Sequence, residues 1–465
     1  MFRSFLTTFG NCFKIPELKS RILFTILLLA VCRLTAFIVI PGINGHLLAE
    51  YMNRSGSGGL LVMYNTFAGG AFGNCAVSAL GIMPYISATI ILQLLTAVVP
   101  RLSKLVREEG GRTKIVQYGR YLTVVLCLGQ GWYFAHSWLT PQSVFGNTFQ
   151  GQLVMTQNHW LYYFVTVTIM TAGTMLLMWL GEQITDRGIG NGVSLVITIG
   201  ILNRIPNAGQ GLKDMFSTHG GEEAQHNFWT TAPVLVVLLI IVVAGVVAIT
   251  QAQRKIPVQY ASRMIGQKMY QGGTNYMPLR VNYSGVMPII FAQSILMFPG
   301  PLFQNLAEWT KSPWLSWAHP SCLWAASLFA YGSFVYLAIY AAMILFFSYF
   351  WVATQFNEIQ IADDLKKNGG YIPGVRPGQG TSDYLHNAMS RITLAGAVFL
   401  TVIATIPIIL SRKMGIDQNV ASFFGGTSIL IAVGVLLDTM RQVEAHLMMR
   451  HYDGFLKKGR IRGRF

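Results

Sequence analysis

Long apolar runs separated by short polar segments dominate the chain. Most runs are close to the roughly 20 residues that an α-helix needs to cross a bilayer. They lack the apolar and polar alternation of membrane β-strands. The pattern therefore predicts an all-α polytopic membrane protein with ten spans, at about 22–40, 75–99, 115–138, 159–181, 192–204, 230–251, 285–305, 325–353, 388–410 and 421–443.

One apolar segment, Leu60–Phe67, is too short to cross a bilayer and is followed by Gly69, Gly70 and Gly73. The pattern predicts a half-helix over about 60–72 that hinges on these glycines into span 2. Irregular backbone at membrane depth persists only inside protein or beside a water-filled cavity. The half-helix therefore indicates a cavity.

Two long polar arms interrupt the second half of the chain, at Gln253–Tyr283 and Gln355–His386. The first arm is predicted to form a short β-ribbon around Gly272 and Gly273, because alternating apolar and aromatic residues flank this pair. The residues of the ribbon are Val258, Tyr260, Tyr276 and Leu279. The second arm contains the sequence Gly374-Val375-Arg376-Pro377-Gly378, whose proline and glycines favour a stiff turn that presents Arg376.

Span 2 opens with Gly81–Ile86 and span 7 with the similar Gly285–Ile290. Each is the second span of a set of five, so an internal repeat would relate two inverted halves. Inverted repeats place the working site at the interface between the halves. Chance similarity is the alternative, because glycine and proline are common in membrane helices.

The composition agrees with a membrane protein, because 52% of the 465 residues are hydrophobic and only 11% are charged. Soluble domains are about one quarter charged. The first apolar run is long and no small-residue cleavage site follows it, so no cleavable signal peptide is expected.

The net charge of +16 is distributed unevenly. With spans on alternating sides, most of the 34 lysines and arginines fall on the side that holds both termini. The positive-inside rule makes this side cytoplasmic. Arg33 lies within span 1, and the opposite loops hold only Arg54, Arg204, Lys213, Lys311, Arg412 and Lys413.

Enzymatic and ion-coupled chemistry finds little support in the sequence. None of the 18 acidic residues falls at the middle of a predicted span, whereas ion-coupled transporters usually keep a charge at depth. Phosphate-binding and zinc-protease motifs are absent, and the five cysteines have no metal-binding spacing. We expect no catalytic residues, no metal and no cofactor. The preferred class is therefore a passive channel, and a small-solute secondary transporter is the alternative.

Two pairs of β-branched residues recur at helical spacing, Ile82 with Ile86 and Val193 with Ile197. Such side chains have few rotamers, and an apolar ring can close a pore by excluding water. The pairs are therefore candidates for a fixed constriction. Ordinary helix packing explains the same spacing.

Four stretches resemble the SecY family of protein-translocation channels: Ala79–Leu95, Met178–Gly192, Tyr371–Gly378 and Phe424–Ser428. They are spread from span 2 to span 10. The resemblance implies two inverted five-helix halves with a half-helix plug below the constriction, and a lateral gate between span 2 and spans 7–8. It divides the chain into a cytoplasmic N-terminal segment (1–21), an N-terminal half (22–204), a periplasmic linker (205–229), a C-terminal half (230–443) with arms at about 252–284 and 354–387, and a basic cytoplasmic tail (444–465).

The resemblance also implies the functional residues. The pore ring is Ile82, Ile86, Val193, Ile197, Ile290 and Ile431; the plug and hinge are Leu60, Leu61, Phe67, Gly69, Gly70 and Gly73; the lateral gate includes Gln93 and Gln293; and Arg263 and Arg376 are the cytoplasmic docking residues. Val193 stands where isoleucine is commoner, and Gln293 where relatives often have a small hydroxyl residue. The segment upstream of the plug matches poorly.

The resemblance implies a passive protein-conducting channel in the bacterial cytoplasmic membrane. Its expected partners are SecE and SecG as complex subunits, the SecA motor ATPase or a translating ribosome, and SecDF and YidC. Unfolded preproteins and signal peptides are the expected clients. Anionic lipids are expected to bind, and specific binding of DNA is not expected.

Overall fold

The computed structural model describes residues 15–54, 64–108, 110–141, 151–156, 158–203, 206, 209, 222–260, 263–265, 268–270, 274–296, 299–310, 319–330, 332–414 and 427–458. Its elements, in chain order, are α1 (Pro16–Leu34), α2 (Gly45–Arg54), α3 (Met83–Val98), α4 (Pro100–Arg107), α5 (Gly111–Leu139), α6 (His159–Arg187), α7 (Gly192–Leu202), α8 (Glu222–Gln251), β1 (Gln253–Tyr260), β2 (Arg263–Ile265), β3 (Lys268–Tyr270), β4 (Thr274–Arg280), α9 (Met287–Leu296), α10 (Pro299–Trp309), α11 (His319–Leu328), α12 (Phe334–Gln355), α13 (Glu358–Lys367), β5 (Gly370–Tyr371), α14 (Gln379–Met414) and α15 (Thr427–Lys458).

The protein is mainly helical, as the hydrophobic pattern predicts. Four helical segments in the described part are long and apolar enough to cross a membrane: His159–Arg187, Pro233–Gln251, Phe334–Lys367 and Gln379–Ile406. A fifth candidate is a broken span, because Met83–Val98 and Pro100–Val106 meet at an angle of 104°. The count of ten spans stays a prediction.

The chain forms two compact units. The first contains Met1–Ser217 together with Ile431–Phe465, and the second is Thr218–Leu430. Within the first unit, α5 packs against α3 and α6, while α7 packs against α6 and α1. Within the second unit, α12 packs against α9 and α14, and α13 packs against α14.

The predicted half-helix and the start of span 2 differ from the structure. The described part is helical only at residues 64–67, and turns then run to residue 82. Gly69, Gly70, Cys75 and Gly81 all have positive φ in this stretch. A residue in left-handed conformation cannot continue a right-handed helix, so α3 begins at Met83 instead of near residue 75.

Two other predicted boundaries are wrong. The segment left between predicted spans 2 and 3, about 100–114, is largely helical, since α4 and the first turn of α5 occupy it. Span 7 is described as two helices, α9 and α10, and residues 297 and 298 between them lie outside the described part of the chain. Span 8 begins later than expected, at α12, where the side chain of Ser333 accepts a hydrogen bond from the Tyr336 amide and caps the helix.

The two arms join in one sheet, with strand order β4-β1-β5. The strand pairing of the predicted β-ribbon is confirmed, because β1 pairs antiparallel with β4 and Val258 lies opposite Asn275, whereas Gly272 and Gly273 lie outside the described residues. The sequence did not predict that β5 of the second arm pairs with β1, through Gln259 opposite Tyr371. Buried side chains from both arms and the adjoining helix ends form their own apolar core: Ile256, Leu279, Val352, Phe356, Ile372, Leu385, Ala388, Met389 and Ile392.

The two halves of the sequence repeat have the same local structure. Gly81 has φ of +60° and Gly285 has φ of +63°. A helix begins two residues later in each case, with proline as its second residue. The amide of Ile86 donates to the Ile82 carbonyl at 3.2 Å, and that of Ile290 donates to the Val286 carbonyl at 3.3 Å. This agreement favours an internal repeat over chance similarity.

Candidate pore and docking sites

The predicted plug is described from residue 64 onward, and residues 64–73, called the plug turn below, are held by a compact set of hydrogen bonds. The amide of Gly73 donates to Oδ1 of Asn65 at 2.9 Å, and the amide of Gly70 donates to the Asn65 carbonyl at 2.8 Å. The Tyr64 hydroxyl donates to the Leu80 carbonyl at 3.2 Å. Asn65 therefore closes the turn with both its side chain and its backbone.

Aromatic rings from the plug turn and α5 pack together. The Tyr64 ring centroid lies 5.2 Å from that of Phe72 and 4.9 Å from that of Phe134. Phe72 also lies 5.9 Å from Trp138, which is completely buried. Buried aromatic pairs each contribute about 1 kcal/mol beyond their area. The described part of the segment is therefore anchored by aromatic packing as well as by hydrogen bonds.

Gly69 fits its position because it has no side chain. Its φ is +66°, and a Cβ there would lie 2.6 Å from Nη1 of Arg33 and 2.9 Å from Cα of Gly200. Gly81, at φ of +60°, would place a Cβ 3.2 Å from Cα of Ala68. The backbone of the plug turn thus touches the backbone of α7 directly.

Arg33, in the last turn of α1, extends to the plug turn. Its Nη1 donates a hydrogen bond of 2.9 Å to the Gly69 carbonyl, and its guanidinium lies 5.6 Å from the Phe37 ring centroid. A small cavity of about 20 Å³, room for about one water molecule, lies beside these groups,. Its lining includes Arg33, Phe67, Ala68, Val196, Gly200 and the ring candidate Ile82.

The structure places four candidate ring residues on α3 and α7 of the first unit. Ile82 caps the N-terminus of α3 and Ile86 lies one turn further, so the pair lies at the helix start rather than inside it. Ile86 and Ile197 are buried, with exposed fractions of 5% and 1%, and Val193 is half-buried. Ile431, also in the first unit, is completely buried, as is Ile290 in the second.

The turn between α6 and α7, at the end of the Met178–Gly192 stretch, makes hydrogen bonds with two other helices, α1 and α15. The Thr25 hydroxyl accepts a hydrogen bond from the Ile189 amide at 3.1 Å, and Oε1 of Gln442 accepts one from the Gly190 amide at 2.9 Å. A Cβ on Gly192 would lie 1.9 Å from the Gly181 carbonyl oxygen. These glycines serve close backbone packing within the first unit.

The lateral-gate candidates lie on α3 and α9, the helices that follow the two copies of the internal repeat. Gln93 lies on α3, where it is half-buried, and among the described residues its buried Oε1 has no hydrogen-bond partner. Gln293 lies on α9 and is almost completely buried. A buried amide oxygen without a partner is unusual and needs an explanation.

The docking candidate Arg376 is exposed on an anchored loop, defined here as residues 372–378, the arm loop. Ile372 is buried in the arm core, and the Val375 amide donates to its carbonyl at 3.1 Å. The Thr381 hydroxyl donates to the Arg376 carbonyl at 3.0 Å. The backbone is therefore fixed while the guanidinium faces solvent.

Three candidates lie partly or wholly outside the described residues. Leu60 and Leu61 are among those not described, and Arg263 is described only as the first residue of β2, whose backbone pairs with Tyr270. Sequence analysis missed Tyr64, Asn65 and Gly200 as anchors of the plug turn. It noted Arg33 only as a charge in span 1, although a charge in a membrane span is itself a signal of function.

Comparison with known proteins gives a consistent picture. The sequence model of the SecY family matches residues 76–440. The protein translocase subunit SecY of Chlamydia trachomatis is 43% identical, and the match covers 99% of this chain and all of that protein. The subunit from Thermotoga maritima is 40% identical, with 98% of this chain and 99% of that protein covered.

Solved channels share the fold. The match to "The structure of a protein conducting channel" has a TM-score of 0.56 at 18% identity, and it covers 91% of both chains. A second match, with a TM-score of 0.54, 17% identity and the same coverage, was reported under "The plug domain of the SecY protein stablizes the closed state of the translocation channel and maintains a membrane seal".

The helical fold and these matches define a membrane channel of the protein-conducting class. The chain belongs to the SecY family, and its function is that of the channel subunit of a protein translocase. The family is a transport channel rather than an enzyme, and a small-solute transporter is not favoured.

Proposed function

We propose that this subunit is a passive pore for secretion across, and lateral insertion into, the bacterial cytoplasmic membrane, with both termini in the cytoplasm. The observation that carries the proposal is the cavity that Ile82 shares with Phe67 and Ala68 of the plug turn. A buried turn against a stiff apolar residue is the arrangement expected of a closed pore. The charge asymmetry of the sequence supports the orientation.

The pore ring that we propose consists of Ile82, Ile86, Val193, Ile197, Ile290 and Ile431. Ile86 and Ile290 occupy the same position in the internal repeat, five residues after a glycine with positive φ. Their stiff side chains would exclude water and ions from a narrow pore. The plug turn would add a second barrier, with Gly69, Gly70 and Gly73 as the points where its backbone reorients.

The lateral gate is proposed to include Gln93 and Gln293. A polar group without a partner at membrane depth favours opening, since it gains a hydrogen bond when a new partner or water arrives. The buried Oε1 of Gln93 supports this role. An apolar signal sequence would then enter the membrane through this gate.

Partner docking is proposed at the arms, through Arg376 and Arg263. The exposed guanidinium of Arg376 offers a planar fork of donors that suits carboxylates and phosphates alike. Exposed Lys366 adds positive charge beside the arm loop, where its Cδ lies 4.0 Å from the position of a Cβ on Gly378. SecA or a translating ribosome is the proposed driving partner; a solved relative of the same fold is "Sec61 in the Canine ribosome-channel complex from the endoplasmic reticulum".

SecE and SecG are the proposed subunits of the complex, and SecDF and YidC are proposed as further partners. Anionic lipids are proposed to bind the subunit within the membrane. We also propose the domain boundaries stated above, with a periplasmic linker at 205–229.

Reconstitution tests the proposal. The complex should be purified in mild detergent, and its small co-purifying subunits identified by mass spectrometry. In proteoliposomes with SecA and ATP, it should move a preprotein into a protease-protected space. Uptake of a small solute without preprotein transport would favour the transporter alternative. A reporter that is active only in the periplasm should be silent when fused after Phe465, and activity there would contradict the proposed topology.

A further inference from the structure

Arg33 is a positive charge near the end of the apolar helix α1. Such a charge is costly in a membrane and usually functional. The simplest structural explanation is a favourable interaction between the cation and the negative end of the helix dipole. That explanation leaves out the contact that Arg33 makes outside its own helix.

The guanidinium reaches across 36 residues of sequence and donates to the carbonyl of Gly69 in the plug turn. Gly200 of α7 also contacts this residue closely, because a Cβ on Gly200 would lie 3.1 Å from the Gly69 Cα. The plug backbone therefore contacts both α1 and α7 at Gly69. Arg33 forms no ion pair within the described part of the chain. The Gly69 carbonyl and the Phe37 ring are therefore the observed groups that stabilise the half-buried charge of Arg33.

We propose that Arg33 is the latch of the plug turn and determines how readily a translocating segment opens the channel. This inference rests on the proposed function of the plug as a barrier. Opening must break a charge-assisted hydrogen bond in a site with room for about one water molecule, so the guanidinium has little solvent to replace the lost carbonyl,. A weak signal sequence supplies too little binding energy to shift this equilibrium, whereas a strong one supplies enough.

Removal of the guanidinium should shift the balance toward the open plug by about tenfold or more, the factor expected for one hydrogen bond to a charged group. Arg33→Met keeps much of the side-chain length without the charge. Arg21→Met is the matched control, because Arg21 is an exposed residue of the same helix.

The experiment compares the purified complex, with its co-purifying subunits, in proteoliposomes. The first readout is ion leak without a client, and the second is transport of a preprotein whose signal sequence has been weakened. Arg33→Met should increase both by about tenfold, and Arg21→Met should change neither. A tight Arg33→Met channel that still rejects the weak signal sequence would overturn the proposal.

A second comparison separates the latch from the plug. Deletion of residues 64–73 alone should raise the ion leak, and if it does not, the proposed barrier function of the plug fails. Adding Arg33→Met to the deletion should then change nothing, because its acceptor is gone. A further increase in that background would show that Arg33 acts elsewhere and would overturn the latch.

If Arg33→Met does not accumulate, Arg33→Gln and Arg33→Lys provide the same test. Lysine keeps the charge and a donor, while glutamine keeps only a neutral donor. The expected leak is therefore largest for Gln, smaller for Lys and lowest for Arg. Equal leak in all three would contradict the proposal.

Discussion

The plug turn and the arm loop use the same backbone device in different surroundings. Gly69 in the plug turn has φ of +66°, and Gly374 in the arm loop has φ of +82°. A Cβ on Gly69 would meet Arg33 and Gly200 at less than 3 Å, whereas a Cβ on Gly374 would meet nothing within 4 Å. Position 69 therefore requires glycine for two reasons, the positive φ and the lack of space for a Cβ. Position 374 requires glycine only because of its positive φ.

This difference separates a turn that closes against protein from one that faces solvent. The plug turn is surrounded by fixed neighbours, so a change there alters the packing of α1 and α7. The arm loop is anchored by Ile372 and Val375, which pack in the arm core, and by the hydrogen bond from Thr381, while exposed Arg376 is available to a partner. The following predictions test this contrast.

The largest effect is expected for Gly69→Ala. The Cβ combines strain in the left-handed region with overlap against a backbone atom, and together these cost about 3 kcal/mol. The plug turn should be displaced, with an increase in ion leak of about tenfold or more. Leak should be measured on proteoliposomes with equal amounts of complex, and a leak equal to that of the wild type would contradict the packing seen at Gly69.

The next effect is expected for Ile86→Asn and Ile197→Asn. If these side chains face a dry constriction, a polar amide lets water enter and ion leak rises several-fold while complex yield is kept. If they are ordinary core residues, the buried amide costs about 1–3 kcal/mol and the complex loses thermal stability instead. Thermal unfolding and leak of the same preparations distinguish the two.

Arg376→Lys should lower SecA-driven transport by about tenfold, the loss expected when a bidentate guanidinium contact becomes a point charge. Arg376→Glu should lower transport further. Ion leak and complex assembly should stay unchanged, because the side chain is exposed. Normal transport by the Arg376→Lys complex would show that Arg376 contributes only a positive charge on the cytoplasmic side and does not dock a partner.

The smallest effect is expected for Gly374→Ala, which makes the same substitution in the arm loop as Gly69→Ala makes in the plug turn. Only the conformational strain applies, about 1 kcal/mol, because the site is open. Transport should fall slightly and leak should not change. A Gly374→Ala effect as large as that of Gly69→Ala would show that backbone conformation alone explains both turns.

Sequence reasoning predicted the β-ribbon, because alternating side chains and a glycine turn are local features. It also predicted that Arg376 stands on a stiff loop, since Pro377 and the glycines restrict their own backbone. It placed the half-helix and span 2 wrongly, because hydropathy records which residues are apolar and does not record the sign of φ at Gly69, Gly70, Cys75 and Gly81.

The sequence by itself determined the membrane class, the approximate helices, the charge asymmetry and the family, because these depend on composition, periodicity and local motifs. Only the tertiary structure decided what the distant residues do. The bond from Arg33 to Gly69, the packing of Phe72 on Trp138, and the pairing of β5 with β1 join positions far apart in the chain. No local pattern encodes such contacts, since they depend on how whole helices and strands pack.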